Sequence, residues 1–206
     1  MNPKSRSLFL AMASRRARPG TGSGPALLRE RTSAYGTPDL KFLEMSIPFV
    51  VVGGLATRLY MPERMTLDTD ILVLPDDVSM AEAALIKAGA TKEGPLAIGG
   101  SAWRLSHGGH LDLVALDEPW TEEAVRHPVR GQDGLPYIQL PFLVLMKLSA
   151  GRMQDLTDIS RMLGGAEAET LDPVVAKVGQ YRPQDLEDLK SLVRLGKLEY
   201  EQPVNP

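Results

Sequence analysis

The chain has 206 residues and a formal net charge of −3, with 43% hydrophobic and 24% charged residues. These values suit one globular domain, with or without a small helical appendage, and 5% aromatic residues argue against extended base stacking. The absence of cysteine excludes disulfides, thiolate metal sites and a cysteine nucleophile, and it fits a reducing cytoplasm.

The first 40 residues differ in charge from the rest of the chain, with a net charge of +5 against −8. Residues 1–37 carry Ser, Arg, Gly and Pro clusters and are predicted to form a basic, disordered arm. An upstream extension from a misplaced start codon and an RNA-contacting arm are the alternatives. The acidic remainder offers no broad basic surface, so DNA is not an expected partner. No stretch approaches the roughly 20 apolar residues of a membrane span, so we expect a cytoplasmic protein without membrane contact.

The predicted elements divide the rest of the chain into a mixed front part and a helical back part. Residues 38–140 show, in order, a helix (39–45), a strand (47–52), a helix (55–60), a strand (66–74), a helix capped by Ser79 (79–88), a hairpin (103–106 and 110–116), a short helix capped by Thr121 (121–125) and a strand (137–140). Residues 141–206 show helices over 141–150, 155–163, 173–178 and 183–195. The sequence therefore predicts the α/β (α+β) class: a mixed β-sheet with flanking helices, and a C-terminal helical part that packs on this core.

Two aspartates, Asp68 and Asp70, stand one residue apart on the predicted strand over 66–74. Residues two apart on a strand point to the same face, with α-carbons about 7 Å apart. Two neighbouring carboxylates on a partly buried strand repel each other and are desolvated unless a cation neutralises them. Clustered hard oxygen ligands favour Mg²⁺, with Mn²⁺ as its substitute. Taken alone, the pair is also compatible with a solvated Asp-Thr-Asp segment.

The predicted strand before this pair ends in Gly53-Gly54 and leads into a helix. Such a turn lets a triphosphate approach the backbone and the N–H groups of the helix, although a glycine pair alone also suits an ordinary tight turn. Asp112 is a lone charge in the predicted strand over 110–116. If that strand lies beside the Asp68/Asp70 strand, three carboxylates converge, and two Mg²⁺ ions about 3.5–4 Å apart can activate a hydroxyl and stabilise a pyrophosphate leaving group. An edge-strand aspartate is the alternative for Asp112.

This order of Gly-Gly, Asp-x-Asp and a later strand aspartate resembles the nucleotidyltransferase superfamily typified by DNA polymerase beta. Two segments more narrowly resemble the bacterial branch of AbiEii-type toxins and related uncharacterised nucleotidyltransferase-like proteins. They are the Arg-x-Thr-x-Asp-x-Asp segment at 64–70 and the Lys-Leu-Ser-Ala-Gly-Arg segment at 147–152. The resemblance covers roughly residues 49–163.

The resemblance implies the nucleotidyltransferase fold and a Mg²⁺-dependent transfer of a nucleoside monophosphate from an NTP, such as ATP, to an acceptor hydroxyl. It implies metal binding by Asp68, Asp70 and Asp112, the last also serving as base or orienter for the acceptor. It further implies nucleotide binding by Gly53, Gly54, Arg64, Thr66 and Lys147. Leu55 follows Gly54 where many members have a serine, so a serine-to-phosphate contact is missing.

Several of these residues have a plainer interpretation. Arg64 also suits a surface loop, and Lys147, inside an apolar helix, must reach water or pair with an acid. Arg152 and Asp155 are spaced for a local ion pair.

The acceptor stays open between RNA or tRNA, as in a toxin–antitoxin system with an antitoxin partner, and a small molecule or a protein. The acidic folded part favours the small molecule or protein, whereas the basic arm favours RNA. A non-catalytic nucleotidyltransferase-like binding or antitoxin-type module is the alternative from another functional class.

Overall fold

The computed structural model describes residues 6–7, 10–11, 40, 47–61, 68–106 and 108–201. The chain divides into two compact units, which we call the sheet unit and the helical unit. The described residues of the sheet unit are 40, 47–59, 68–106 and 108–139, and those of the helical unit are 6–7, 10–11, 60–61 and 140–201. Arg64, Thr66 and most of the predicted helix over 39–45 lie outside the described residues.

The sheet unit is built on a seven-stranded sheet in the order β3-β4-β5-β2-β1-β7-β6. The strands are β1 (Val50–Val52), β2 (Asp68–Val73), β3 (Thr91–Pro95), β4 (Gly100–Arg104), β5 (His110–Ala115), β6 (Val129–Arg130) and β7 (Pro136–Tyr137). The pairs β2–β5 and β1–β7 are parallel, and the other four are antiparallel. The mixed sheet and the α/β class predicted from the sequence are therefore confirmed.

The described residues of the sheet unit form three helices: α1 (Gly53–Thr57), α2 (Val78–Lys87), which follows a 3-10 turn (Pro75–Asp77), and α3 (Thr121–Arg126). The apolar strands supply the core, since Val51, Ile71 and Leu113 are fully buried, and Trp103 of β4 is buried with them. Burial of these apolar side chains drives the strands together, because each contributes roughly 1.5–3 kcal/mol when removed from water.

The helical unit contains the C-terminal helices: α4 (Leu140–Ala150), α5 (Met153–Gly164), α6 (Ala168–Tyr181) and, after a 3-10 turn (Pro183–Asp185), α7 (Leu186–Tyr200). Arg6, Ser7, Leu10 and Ala11 are also helical, and Arg6 and Leu10 are buried. At these four residues the structure differs from the disordered arm predicted for 1–37. None of the helices in the described ranges is long and apolar enough to cross a membrane.

Helix starts are where the observed elements differ most from the predicted ones. The helix α1 begins at Gly53 itself rather than at Leu55, so the glycine pair forms its first turn. Ser79 does not cap α2, which begins one residue earlier, and Thr121 is the first residue of α3, with its hydroxyl buried and unpartnered. Helix α6 begins at Ala168 and carries Pro173 in its interior. Ser79 and Thr121 do not cap α2 and α3, because each of these helices begins directly after a turn and without a side-chain cap.

Two strands, β3 and β6, were not predicted. Both lie at the edges of the sheet, and their residues are mostly exposed. An exposed edge strand needs no apolar alternation, and polar residues such as those of β3 protect such an edge from pairing with other chains. The usual periodic signal of a strand is therefore missing from these segments.

Candidate active site

The parallel pairing of β2 with β5 brings the predicted carboxylates together on one face of the sheet. In the register of this pair Asp70 lies opposite Asp112, and Asp68 lies opposite His110. Because paired residues project to the same side of a sheet, Asp68, Asp70 and Asp112 share one face. Neighbouring strands are about 4.8 Å apart, so the α-carbons of Asp70 and Asp112 are near neighbours.

Electrostatics link Asp112 to Asp68. The side chain of Asp112 is half-buried, and that of Asp68 is exposed. Burial, followed by the negative charge of Asp68, raises the pKa of the Asp112 carboxyl above its ordinary value. Both causes disfavour the ionised form, and a cation bound between the carboxylates would relieve both. The donor set of hard oxygens therefore fits Mg²⁺ in chemistry.

Gly53 lies directly against the carboxylate of Asp70. Its φ angle is +61°, a left-handed conformation that favours glycine. A β-carbon at this position would stand 1.9 Å from Oδ2 of Asp70. Only a glycine therefore allows the Asp70 carboxylate to lie against the backbone at the start of α1.

The three carboxylates are neighbours but do not surround one point. Within the described ranges, no group of three or more His, Cys, Asp or Glu side chains is arranged to hold a metal ion. The carboxylate of Asp70 lies against Gly53, whereas burial and the negative charge of Asp68 act on Asp112 and raise the pKa of its carboxyl. The assignment of all three as metal ligands therefore stays a prediction.

A polar cluster of Glu93, Arg104 and His110 adjoins the carboxylates on strands β3, β4 and β5. The guanidinium of Arg104 donates to Glu93 Oε1 from Nε at 2.9 Å and from Nη2 at 2.5 Å, and His110 Nδ1 lies 3.0 Å from Glu93 Oε2. Arg104 and then His110 lower the pKa of the Glu93 carboxyl. Glu93 was missed from the sequence because β3 carries no strand pattern, and Arg104, on a predicted strand, was missed because its partner Glu93 was not placed beside it.

Lys147 lies in the helical unit as a buried member of an ion-pair cluster. Its side chain is only 4% exposed, and Nζ donates to Asp158 Oδ2 at 2.7 Å and to Asp155 Oδ1 at 3.4 Å. Asp155 also accepts from Arg152 Nε at 2.7 Å, which is the local pair that the sequence spacing suggested. The lysine thus joins α4 to α5 by pairing with acids. Its contact with a nucleotide stays a prediction.

Comparison with known proteins finds solved structures that are similar to this chain, at low sequence identity. No protein-family model matches the chain, and no curated protein matches it. Among solved structures, the solution structure of the antibiotic-resistance factor ANT(2'')-Ia is 16% identical, covering 75% of this chain and 88% of that one, with a TM-score of 0.42. ANT(2'')-Ia in complex with adenylyl-2''-tobramycin is 17% identical, covering 75% and 93%, with a TM-score of 0.41.

The CCA-adding enzyme of Thermotoga maritima, complexed with tRNA, is also similar. It is 17% identical over 85% of this chain and 53% of that chain, with a TM-score of 0.38.

Proposed function

We propose that the sheet unit carries a metal-dependent nucleotidyl-transfer site, which moves a nucleoside monophosphate from an NTP to an acceptor hydroxyl and releases pyrophosphate. The observation that carries this proposal is the register of β2 and β5, which pairs Asp70 with Asp112 on the face that Asp68 shares. Gly53, which lies against Asp70 at the start of α1, would offer backbone N–H groups to a phosphate.

The roles follow from position. Asp68, Asp70 and Asp112 would hold Mg²⁺, or Mn²⁺ in its place, and the metal would neutralise charge on the phosphates and on the leaving pyrophosphate. Asp112, whose pKa is raised by burial and by Asp68, is suited to orient the acceptor hydroxyl or accept its proton. Gly53 and Gly54 would contact the phosphates through their backbone, and Arg64, Thr66 and Lys147 remain proposed nucleotide contacts.

The acceptor remains a choice between RNA or tRNA, with an antitoxin as partner in an AbiEii-like system, and a small molecule. A non-catalytic binding or antitoxin-type module is the competing proposal. It predicts nucleotide or metal binding without turnover.

The test is pyrophosphate release from each of the four NTPs with Mg²⁺ or Mn²⁺, in the presence of total tRNA or of a pool of small hydroxylated acceptors. Asp68→Asn, Asp70→Asn and Asp112→Asn should each lower the rate by at least about 100-fold, a typical cost of removing one transition-state contact. Asp76→Asn is the matched control, since Asp76 is an exposed aspartate of the same unit on the 3-10 turn before α2.

Three outcomes of this experiment distinguish the nucleotidyl-transfer site from the non-catalytic module. Turnover that is lost in the three variants and kept in Asp76→Asn supports the proposal, and mass spectrometry of the modified tRNA or small molecule then identifies the acceptor. Binding of NTP and metal by calorimetry without turnover supports the non-catalytic module. Neither binding nor turnover in the wild type overturns both.

A further inference from the structure

The face of the sheet that carries the carboxylates continues beyond them across β5, β4 and β3. Ala102 on β4 lies opposite Asp112, and Gly94 on β3 lies opposite Ala102. Because paired residues project to the same side of a sheet, these small residues share the face of Asp112. A β-carbon on Gly94 would meet no atom of the described residues within 4 Å. The sheet next to Asp112 is therefore uncovered there by the described residues.

His110 borders this part of the sheet and lies on the same face. In the strand registers it is opposite Asp68 on β2 and opposite Arg104 on β4, and its side chain is 50% exposed. Burial and the charge of Asp68 raise the pKa of the Asp112 carboxyl, and His110 opposes this rise. The imidazole is therefore close enough to the carboxylates to interact with them and is also accessible from outside.

Glu93 determines which nitrogen of His110 carries the proton. Its Oε2 lies 3.0 Å from His110 Nδ1, and its Oε1 accepts two bonds from Arg104. Arg104 and then His110 lower the pKa of the Glu93 carboxyl, which favours its ionised form. An ionised carboxylate only accepts hydrogen bonds, so Nδ1 must be the donor. The bonds from Arg104 to Glu93 and from Glu93 to His110 thus select the tautomer protonated at Nδ1.

The second ring nitrogen of His110, Nε2, remains available to a substrate. In a neutral imidazole that is protonated at Nδ1, Nε2 accepts a hydrogen bond. The hydrogen-bonding directions of the two ring nitrogens diverge, so Nε2 faces away from Glu93. Within the described part of the chain, no group forms a hydrogen bond with Nε2. Beside the carboxylates, His110 therefore offers a hydrogen-bond acceptor whose orientation is held by Glu93.

The order of the strands indicates which substrate meets this nitrogen. Gly53, the proposed phosphate contact, follows β1, whereas His110 lies on β5, and β2 separates the two strands. The ionised phosphate oxygens of an NTP only accept hydrogen bonds and cannot donate one to Nε2. Asp112, the proposed contact of the acceptor hydroxyl, shares both strand and face with His110. The donor to Nε2 is therefore expected to belong to the acceptor.

We propose that His110 binds the acceptor, which is a sugar unit with at least two neighbouring hydroxyls. One hydroxyl lies at Asp112 and is the one that reacts, and the next donates a hydrogen bond to Nε2 of His110. Glu93 and Arg104 are positioning residues that hold the imidazole in the required tautomer. A free sugar and a ribose of RNA share this chemistry. The inference rests on the proposed nucleotidyl transfer and specifies the class of its acceptor.

The experiment measures pyrophosphate release by the full chain with Mg²⁺ and the most active NTP. One arm contains total tRNA, and the other contains ribose, glucose, glucosamine and glycerol, so the active arm identifies the source of the sugar. His110→Asn keeps a donor near the position of Nδ1, whereas His110→Gln keeps a polar atom near that of Nε2. His110→Asn should raise the acceptor KM about three- to tenfold, the cost of one neutral hydrogen bond. His110→Gln should raise it less, and both should leave the KM for the NTP unchanged.

The role of Glu93 is tested by NMR of the ¹⁵N-labelled imidazole rings, at a pH where the ¹⁵N shifts of His110 show a neutral ring. The wild type should show the tautomer protonated at Nδ1. Glu93→Ala should lose this preference and raise the acceptor KM as His110→Asn does. His127→Asn and Glu118→Ala, at exposed positions of the same unit, are the matched controls and should keep wild-type kinetics. Unchanged melting temperatures show that folding is intact in each variant.

The possible failures of the inference and of the proposed function differ. Wild-type kinetics in His110→Asn, or a raised KM for the NTP alone, overturns the inference and leaves nucleotidyl transfer intact. Better activity in His110→Asn than in His110→Gln shows that His110 only supports Glu93, and it overturns the inference too. A wild-type tautomer protonated at Nε2 has the same consequence. A wild type that releases no pyrophosphate in either arm overturns the proposed function itself, together with the inference.

Discussion

At the scale of single residues, Asp112 shows how clustered carboxylates destabilise the chain that carries them. Its carboxyl is half-buried and lies near Asp68, and both features raise its pKa. An acid whose pKa is higher in the folded state than in the unfolded state lowers stability once the pH rises above its unfolded pKa, and the full loss is present above the folded value.

We therefore predict that Asp112→Asn is more stable than the wild type at neutral pH without divalent metal. Since Asp112 is not fully buried and solvent screens it, the gain should be small, on the order of 1–3 °C in melting temperature. The gain should disappear as the pH falls through the raised pKa of the Asp112 carboxyl, because the wild-type side chain is then also neutral. Thermal melts from pH 3 to pH 8 measure this, and a variant less stable than the wild type at pH 8 would contradict it.

Gly53 is a second residue whose identity the site determines. Gly53→Ala combines a positive φ angle with a β-carbon 1.9 Å from the Asp70 carboxylate, so we predict a loss of about 2–4 kcal/mol in unfolding free energy. Gly134→Ala is the control, because Gly134 has a φ of +83° but no atom within 4 Å of the added carbon. Urea unfolding of both variants separates backbone strain from the clash. Equal losses would show that Asp70 does not press on Gly53.

At the scale of elements, helices α5 and α7 pack with their backbones in contact. A β-carbon on Gly164 would stand 2.4 Å from the Gly196 backbone, and one on Gly196 would stand 1.9 Å from the carbonyl oxygen of Ser160. Backbone atoms cannot move aside as a flexible side chain does. The glycines thus determine how closely these two helices approach.

Gly196→Ala should therefore destabilise the protein by about 2–3 kcal/mol or more, since overpacking forces the helices apart. Gly179→Ala in α6 is the matched control: its added carbon would meet Leu186 at an ordinary 3.8 Å, and alanine favours a helix by up to about 1 kcal/mol over glycine. Chemical denaturation of the two variants is the measurement. A neutral Gly196→Ala would show that the helices separate at little cost.

The elements also show where sequence patterns suffice and where they fail. The apolar runs of β1, β2 and β5 and the apolar helix α4 were predicted because burial imposes a repeating pattern on them. The edge strand β3 escaped prediction, since its residues Thr91–Pro95 are mostly exposed and carry no such pattern. Because β3 was not predicted, Glu93 and its contacts to Arg104 and His110 were not predicted either. Only the pairing of the strands brings these three residues together.

At the scale of the whole chain, Arg6 connects residues far apart in sequence. Its buried guanidinium donates to Asp185, to Asp188 at 2.6 Å and to the Leu148 carbonyl at 3.3 Å. Asp185 also accepts from Arg182 at 2.5 Å. Arg6 is therefore bound within the helical unit.

Arg6→Ala should lower the unfolding free energy by about 2–3 kcal/mol, because the buried Asp185 then keeps only Arg182 and the half-buried Asp188 loses the guanidinium of Arg6. Arg6→Lys should be intermediate, since lysine keeps the charge and loses the planar fork. Arg194→Ala, at an exposed position of α7, should have little effect. Calorimetric melting temperatures compare the three variants, and an Arg6→Ala variant as stable as Arg194→Ala would contradict this account of the N-terminal residues.

The sequence by itself determined the α/β class, the apolar strands that carry Asp68, Asp70 and Asp112, and the glycine pair that precedes them. These are local properties, because side-chain alternation and the special conformations of glycine depend on nearby residues alone. The tertiary structure alone decided that β5 pairs in parallel with β2, so that Asp112 lies beside Asp70, and that Asp70 rests on Gly53. Strand order and register depend on packing between segments distant in the chain, and no local pattern specifies them.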